Sequence, residues 1–231
     1  YQSVKPYLLQ ANSNAEERIG LMHNLALQCE TLADVEYDFL YDRSKRLLSI
    51  GYNVDERRLD ASFYDLLASE ARLACYLGVA QHRLPQASWF ALGRMLTRAE
   101  GHPLLVSWSG SMFEYLMPLL VMPSYDDTLL DETYKAVVAV QMAYGRNKNV
   151  PWGISESGFY VFDAEHNYQY RAFGVPELGL KYGLSEDLVI SPYATALAVM
   201  VTPSEAFKNL ERLAAQGCMT SYGFYEAVDY T

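Results

Sequence analysis

Ile19, Met22, Leu25, Cys29, Leu32 and Glu36 recur every third or fourth residue, and Ser13-Asn14-Ala15-Glu16 ahead of them has the form of a capping box. That pattern predicts a helix over about residues 14–36. The period then changes. Phe39-Leu40-Tyr41 and Leu47-Leu48-Ser49-Ile50-Gly51-Tyr52 flank Asp42-Arg43-Ser44-Lys45, the signature of a β hairpin within residues 38–53. Ser62-Phe63-Tyr64-Asp65 is expected to open a second helix with Phe63, Leu67, Ala74 and Leu77 on its apolar face. Position 70 of that stripe is Glu70. A charged carboxylate on a buried face is costly, so Glu70 should pair with an arginine such as Arg57, Arg58 or Arg72, hold a proton, or face a cleft.

Further along, Ser111-Met112-Phe113-Glu114 is a second capping box, which gives Glu114 a structural task, and Pro118 should shorten the helix it begins. Asp126-Asp127-Thr128 starts a helix expected to end near Gly145, with acids in its first turn to suit the macrodipole. Tyr160-Val161-Phe162 and Tyr168-Gln169-Tyr170 around residues 163–167 predict a second hairpin. Ser191-Pro192 and Thr202-Pro203-Ser204-Glu205 each set an N-cap before a first-turn proline, and Gly217 ends the latter helix. Five clusters rich in Gly, Ser and aromatics recur at residues 60–65, 107–114, 152–158, 191–193 and 222–226. Their spacing of about 30 to 50 residues is that of helical hairpins in repeat architectures. The fold class expected is therefore mainly α: a toroid of helical hairpins with small β-hairpin insertions. Six to eight helices would supply half to two thirds of a closed ring, with helix starts gathered at one cleft.

Composition narrows the function. The chain has 231 residues, 51% of them hydrophobic, enough for a large core in one domain or a big piece of one. A formal net charge of -10 without a basic block argues against a nucleic-acid partner. The 19 Tyr against 9 Phe suit hydroxyl-rich ligands as well as wet-tipped core positions. Cys29, Cys75 and Cys218 are odd in number, far apart and set among apolar residues, which fits buried thiols in a reducing compartment without disulfides. The longest apolar run, near residues 196–201, is too short to span a membrane. Tyr1 and the polar start that follows lack a signal core, so the chain reads as part of something longer.

The stretch Trp152-Gly153-Ile154-Ser155-Glu156-Ser157-Gly158-Phe159 concentrates the candidate chemistry. One carboxylate stands among an indole, hydroxyls and glycines, and a Tyr-rich segment runs on to Arg171. Aromatic faces with a few fixed polar groups suit a sugar site. Other chemistries lack their motifs. Gly153-Ile154-Ser155-Glu156-Ser157 misses the last glycine of a nucleophile elbow, the four His lack zinc spacing, and no phosphate-cradling glycine loop occurs. No metal or cofactor is expected. Carboxylate chemistry in an aromatic cleft is what the residues leave.

Several motifs carry a resemblance: Gly51-Tyr52-Asn53-Val54-Asp55, Leu59-Asp60-Ala61-Ser62-Phe63-Tyr64-Asp65-Leu66-Leu67-Ala68-Ser69-Glu70-Ala71-Arg72, Ser107-Trp108-Ser109-Gly110-Ser111-Met112-Phe113-Glu114-Tyr115, Trp152-Gly153-Ile154-Ser155-Glu156-Ser157 and Tyr222-Gly223-Phe224-Tyr225-Glu226-Ala227. Together, from about residue 36 to the end, they resemble the glucoamylase-like transglycosylation domain of cyclic β-1,2-glucan synthases. The resemblance implies a partial or complete (α/α)6 barrel, here residues 1–231 as one domain of a larger multidomain bacterial synthase. It implies β-1,2-glucan and the other domains of that parent as partners, and a place on the cytoplasmic side of the inner membrane with no span in this segment. The implied activity is anomer-retaining transglycosylation that closes linear glucan into a ring.

Carried onto this sequence, the resemblance puts the nucleophile on Glu156 and the acid/base on Glu70, the two tasks a retaining mechanism divides between carboxyl groups. Related β-1,2-glucanases are held to pass protons through a substrate hydroxyl, which frees the pair from the usual separation. Substrate contacts are expected from Asp60, Tyr64, Trp108, Ser109, Glu114, Trp152, Tyr170, Arg171, Tyr225 and Glu226. Two alternatives stay open: an inverting β-1,2-glucanase that activates water, and a non-catalytic glucan-binding module in which Glu70 merely pairs with an arginine.

Overall fold

The computed structural model describes residues 3–231. The chain divides into two compact units, Tyr1–Phe39 and Leu40–Thr231. The first is the helix α1, Lys5–Ala33, none of whose residues is buried. It begins nine residues before the expected start, because Pro6 sits in its first turn, where a missing N–H costs nothing. The Ser13 to Glu16 box thus lies mid-helix. There the side-chain amides of Gln10 and Asn12 donate to Asn14 and Glu16, both at 2.7 Å. Cys29 is exposed, which corrects its reading as a buried thiol; Cys75 and Cys218 are buried.

In Leu40–Thr231 helices alternate with two-stranded antiparallel ribbons. The expected first hairpin is β1, Tyr41–Asp42, paired with β2, Leu47–Leu48. Asp42 makes its turn by accepting from Ser44 N–H at 2.8 Å and Lys45 N–H at 3.0 Å. A second ribbon follows, β3 (Tyr52–Asn53) with β4 (Arg58–Leu59).

The helix expected from Ser62 is absent. Phe63 bridges to Ser49 and Leu66 to Gly93, so this stretch is extended, turns over residues 67–71, and enters helix α2 only at Arg72–Ala80. The apolar spacing suits a helix, but Leu66 and Leu67 are buried where this segment pairs with residues around Gly93. Glu70 therefore sits in the turn at the mouth of α2 rather than on its face.

After α3 (Ala87–Ala91) come β5 (Leu96–Ala99) and β6 (His102–Leu105). They are joined by Glu100 and Gly101 at φ 47° and 82°, a left-handed two-residue turn. Helix α4, Met112–Leu116, starts at the expected capping box and passes at Pro118 into a 3₁₀ turn. Helix α5, Leu129–Asn147, is capped by Thr128 with Asp131 and Glu132 in its first turn. The second expected hairpin is β7 (Ser157–Phe162) with β8 (Tyr168–Arg171). Then come β9 (Val189–Ile190), α6 (Pro192–Leu197), α7 (Pro203–Ala215), the ribbon β10 (Met219–Thr220) with β11 (Gly223–Phe224), and β12 (Val228–Asp229), which pairs with β9.

The core gathers Leu104 and Leu105 of β6, Met112, Tyr115 and Leu116 of α4, Val137 and Val138 of α5, Ala194 of α6, and Ala206 and Leu213 of α7. Each larger aliphatic side chain fully buried there contributes about 1.5–3 kcal/mol. This packing holds the N-termini of α4 and α6 and the segment after α5 against one another.

Candidate active site

Glu156 ends a short segment that four helices hold. Gln141 of α5 turns its amide onto Ile154, donating to the carbonyl and accepting from the N–H, both at 2.9 Å. Asn209 of α7 does the same for Trp152, at 2.7 and 3.2 Å. The α4 amides of Met112 and Phe113 donate to the Ile154 carbonyl (3.1 Å) and Ser155 Oγ (3.0 Å). From α6, the Tyr193 hydroxyl donates to the Glu156 carbonyl at 2.7 Å and lies 2.8 Å from Ser155 Oγ. Gly153 lies at φ 120°, and a Cβ there would stand 2.8 Å from Thr195 Oγ1, so the segment needs its glycine. A loop thus fixed presents its carboxylate from a rigid base.

Glu70 is placed by the turn above Arg72, a fully buried arginine. Its guanidinium donates to the carbonyls of Ser69 (2.9 Å), Glu114 (3.0 Å) and Tyr115 (2.5 Å), and to Tyr134 Oη (3.2 Å). The expected arginine pairing of Glu70 is not made by Arg72, which serves backbone carbonyls, and Arg58 pairs with Glu56 at 2.8 Å. Glu70 instead accepts from Ser69 Oγ at 2.9 Å.

Burial raises the pKa of Glu70, and the Glu114 charge adds to this; its hydrogen bonds to Ser69 and backbone, and the Arg72 charge, oppose. Burial also raises Glu156, followed by the charges of Glu70 and Glu114, against a hydrogen bond from Tyr170. The charge of Glu70, 86 positions away in sequence, thus disfavours ionisation of Glu156. The cluster continues outward. Burial, then the Glu156 charge, raises Tyr170; burial also raises Tyr193, against its bond to Ser155.

Glu114 fills another role than the substrate contact expected of it. Only 6% exposed, its carboxylate accepts from Ser107 Oγ (2.8 Å), Ser109 Oγ (2.5 Å), and the N–H groups of Trp108 (3.1 Å), Ser109 (3.0 Å) and Ser111 (3.1 Å). It holds the loop from 107 to 111 in shape, and the buried Ser109 is spent on it rather than on a ligand. Trp152 is likewise corrected. It is 7% exposed and belongs to the buried core, its backbone and Cβ lying so close to Gly145 of α5 that a side chain there would collide with them, so its ring is core and not a stacking platform.

Trp108 is displayed, 48% exposed, with Nε1 donating to Asp65 at 3.1 Å. That bond ties its loop to the segment carrying the exposed Asp60 and Tyr64. Arg171 pairs with Asp187 at 2.7 Å. Glu226 accepts from Gly158 N–H at 2.8 Å and, in a short bond, from Tyr168. Tyr225 and Glu226 line a groove of about 630 Å³ with Gly158, Phe162 and Tyr168. Gln141 and Asn209 carry no signal in the sequence, since polar residues on helices read as solvent-facing, and Arg72 stands out there only as a candidate partner for Glu70. Tyr193 stands within a recurrent cluster, and that is its signal.

Residues 62–231 match the family described as Glycoamylase, "Putative glucoamylase". Over 197 residues, 85% of this chain, the sequence is 49% identical to the cyclic beta-(1,2)-glucan synthase NdvB of Rhizobium meliloti (strain 1021), of which it spans only 7%. The fold is similar to an endo-beta-1,2-glucanase from Chitinophaga pinensis solved with sophorotriose and glucose: TM-score 0.64, 17% identity, 90% of this chain and 54% of that one. It is also similar to an endo-beta-1,2-glucanase from Talaromyces funiculosus solved with sophorose: TM-score 0.67, 16% identity, 84% of this chain and 44% of that one. The chain thus spans about half the length of these two enzymes. A family match over most of the chain, with the carboxylates Glu70, Glu114 and Glu156 inside it, places this protein in the Glycoamylase family of glucoamylase-like domains.

Proposed function

We propose that this chain is a catalytic domain acting on β-1,2-glucan, and that it closes linear glucan into a ring by anomer-retaining transglycosylation. The observation that carries the reading is the pairing of Glu70 and Glu156. Glu70 is held at the mouth of α2 and Glu156 by a segment tied to α4 and α6, both are raised by burial, and the Glu70 charge raises Glu156 further. The kinship with a cyclic glucan synthase and the likeness to two β-1,2-glucanases supply the substrate. The chain would form part of an (α/α)6 toroid within a longer synthase, working beside its other domains on the cytoplasmic side of the inner membrane.

Glu156 takes the part of nucleophile: burial raises it, and Tyr170 is the neighbour that works the other way, toward the ionised form. The Glu156 oxygen attacks the anomeric carbon while the glycosidic C–O bond breaks and Glu70 gives its proton to the leaving oxygen. A hydroxyl at the far end of the same glucan then returns its proton to Glu70 and attacks the glycosyl ester, freeing Glu156. Two displacements at one carbon keep the anomeric configuration. Trp108, Tyr64, Asp60, Tyr170, Arg171, Tyr225 and Glu226 would flank the chain.

Incubation with linear β-1,2-glucan and mass analysis tests the reading. Ring products one water lighter than linear chains of equal length are expected. Linear oligosaccharides alone, with inverted anomers, would point to the water-activating hydrolase, and binding without turnover to a non-catalytic module.

A further inference from the structure

The groove along the β7–β8 hairpin, which follows Glu156 in the chain, has the make-up of a binding site of its own. Its volume is about 630 Å³, and its walls come from the β7–β8 hairpin on one side and the segment after α7 on the other. Phe162, Tyr168 and Tyr225 line it and are all exposed, and so offer faces to a ligand. The charged groups in its lining are Glu226 and Asp229, without a cation. That set disfavours anions. Carboxylates also make it a poor site for a purely apolar ligand, whereas hydroxyls donate to carboxylates and sugar rings stack on aromatics.

Its floor is built. The Tyr168 ring lies so close on Gly158 that any Cβ there would collide with it, and Glu226 fixes both by accepting from the Gly158 N–H and the Tyr168 hydroxyl. A carboxylate has about four acceptor positions, so Glu226 keeps capacity for hydroxyls in the groove. Gly158 is two residues past Glu156 and faces Tyr170 across the hairpin, the tyrosine bonded to Glu156. The strand that leaves Glu156 therefore runs directly into the wall of the groove.

We infer that this groove is a remote subsite for a neutral glucan chain, one that engages glucosyl units away from the bond being broken and so makes the domain prefer long chains to short ones. The inference rests on the glucan reading above and adds a length sensor to it. Binding energy gained far from the reacting carbon raises kcat/KM only for substrates that reach it.

The test compares kcat/KM for a long linear β-1,2-glucan and a short β-1,2-linked oligosaccharide, in the parent chain, Phe162→Ala and Glu226→Gln. Thermal unfolding confirms that each variant is folded. The long-to-short ratio is expected to fall about tenfold in each variant, the loss of one sugar contact. An unchanged ratio, whether both substrates lose equally or neither does, overturns the subsite. Calorimetric titration with long β-1,2-, β-1,3- and β-1,4-glucans separates this from failure of the proposed function. If the parent turns over no glucan yet binds one that Phe162→Ala binds about tenfold more weakly, the groove stands and the reaction falls. If the parent binds none of them and turns over none, the groove falls as well.

Discussion

Glu114→Ala probes how the site is built. The substitution strands three backbone N–H donors, those of Trp108, Ser109 and Ser111, and strips a partner from the hydroxyls of Ser107, Ser109 and Ser111. A buried donor left unpaired costs about 1–3 kcal/mol. The hydroxyls can rotate and water can enter the vacated space, so the lower half of that range applies to each amide. The expected loss is about 3–5 kcal/mol, which for a unit of this size lowers the midpoint of thermal unfolding by about 6–20 °C.

Glu114→Gln keeps one acceptor oxygen but points an NH2 at donors, so it should cost about half as much. Because the Glu114 charge raises both Glu70 and Glu156, the amide should also lower the pKa of each. Calorimetry and denaturant titration measure the first effect, and the pH–rate profile the second, its acid limb reporting Glu156 and its alkaline limb Glu70. Alanine at 114 within about 1 kcal/mol of the parent, below the loss of even one capping interaction of ordinary size, would refute the reasoning.

Glu70 and Glu156 have folded pKa values raised above the ordinary 4.5, so their favourable contribution is complete below that value and is lost as pH climbs through the raised values. Glu70→Gln and Glu156→Gln should therefore unfold at higher temperature than the parent at pH 7, with the gain vanishing near pH 4; thermal unfolding across that range checks it, and a gain that grew toward acid would reverse the sign. Glu156→Gln should cost several orders of magnitude in turnover while glucan binding persists, whereas Glu70→Gln should recover part of its rate on a glycoside with a good leaving group; steady-state kinetics on both substrates decides. Trp152→Ala should destabilise by about 3–5 kcal/mol, while Trp108→Ala should leave unfolding within about 0.5 kcal/mol and weaken glucan binding, as paired unfolding and titration measurements would show.

Much of the frame is legible in the sequence because turns and caps act locally. The Asx turn at Asp42, the box at Ser111 and the Thr128 cap each do what their residue types dictate. The stretch from 62 to 71 is not legible in this way, because Phe63 and Leu67 stand four apart in an extended segment as readily as on a helix, and long-range bridges to Ser49 and Gly93 choose the former. Glu70 and Glu156 stand out nonetheless, the first despite a wrong local structure, since a carboxylate among apolar neighbours is anomalous in either conformation. Trp152 misleads for the opposite reason. An indole beside an acid looks like a sugar platform, and only the absent side chain of Gly145, seven residues earlier, tells where it goes.

Arg72 bears on the protons of the centre as a whole. Glu70 and Glu114 share the neighbourhood of this enclosed cation, and the charges of both raise Glu156. Glu114 is committed to accepting hydrogen bonds from the loop at 107–111, and its charge raises both Glu70 and Glu156. The two remaining carboxyls then hold a balance between them. If both ionise, two negative charges lie close together in a poorly hydrated space; if neither does, no nucleophile remains. A single mobile proton is the occupancy that avoids both. It can pass from acid to leaving group and come back from the incoming hydroxyl without any change in total charge. On this view the identity of the proton's holder at rest matters less than the count.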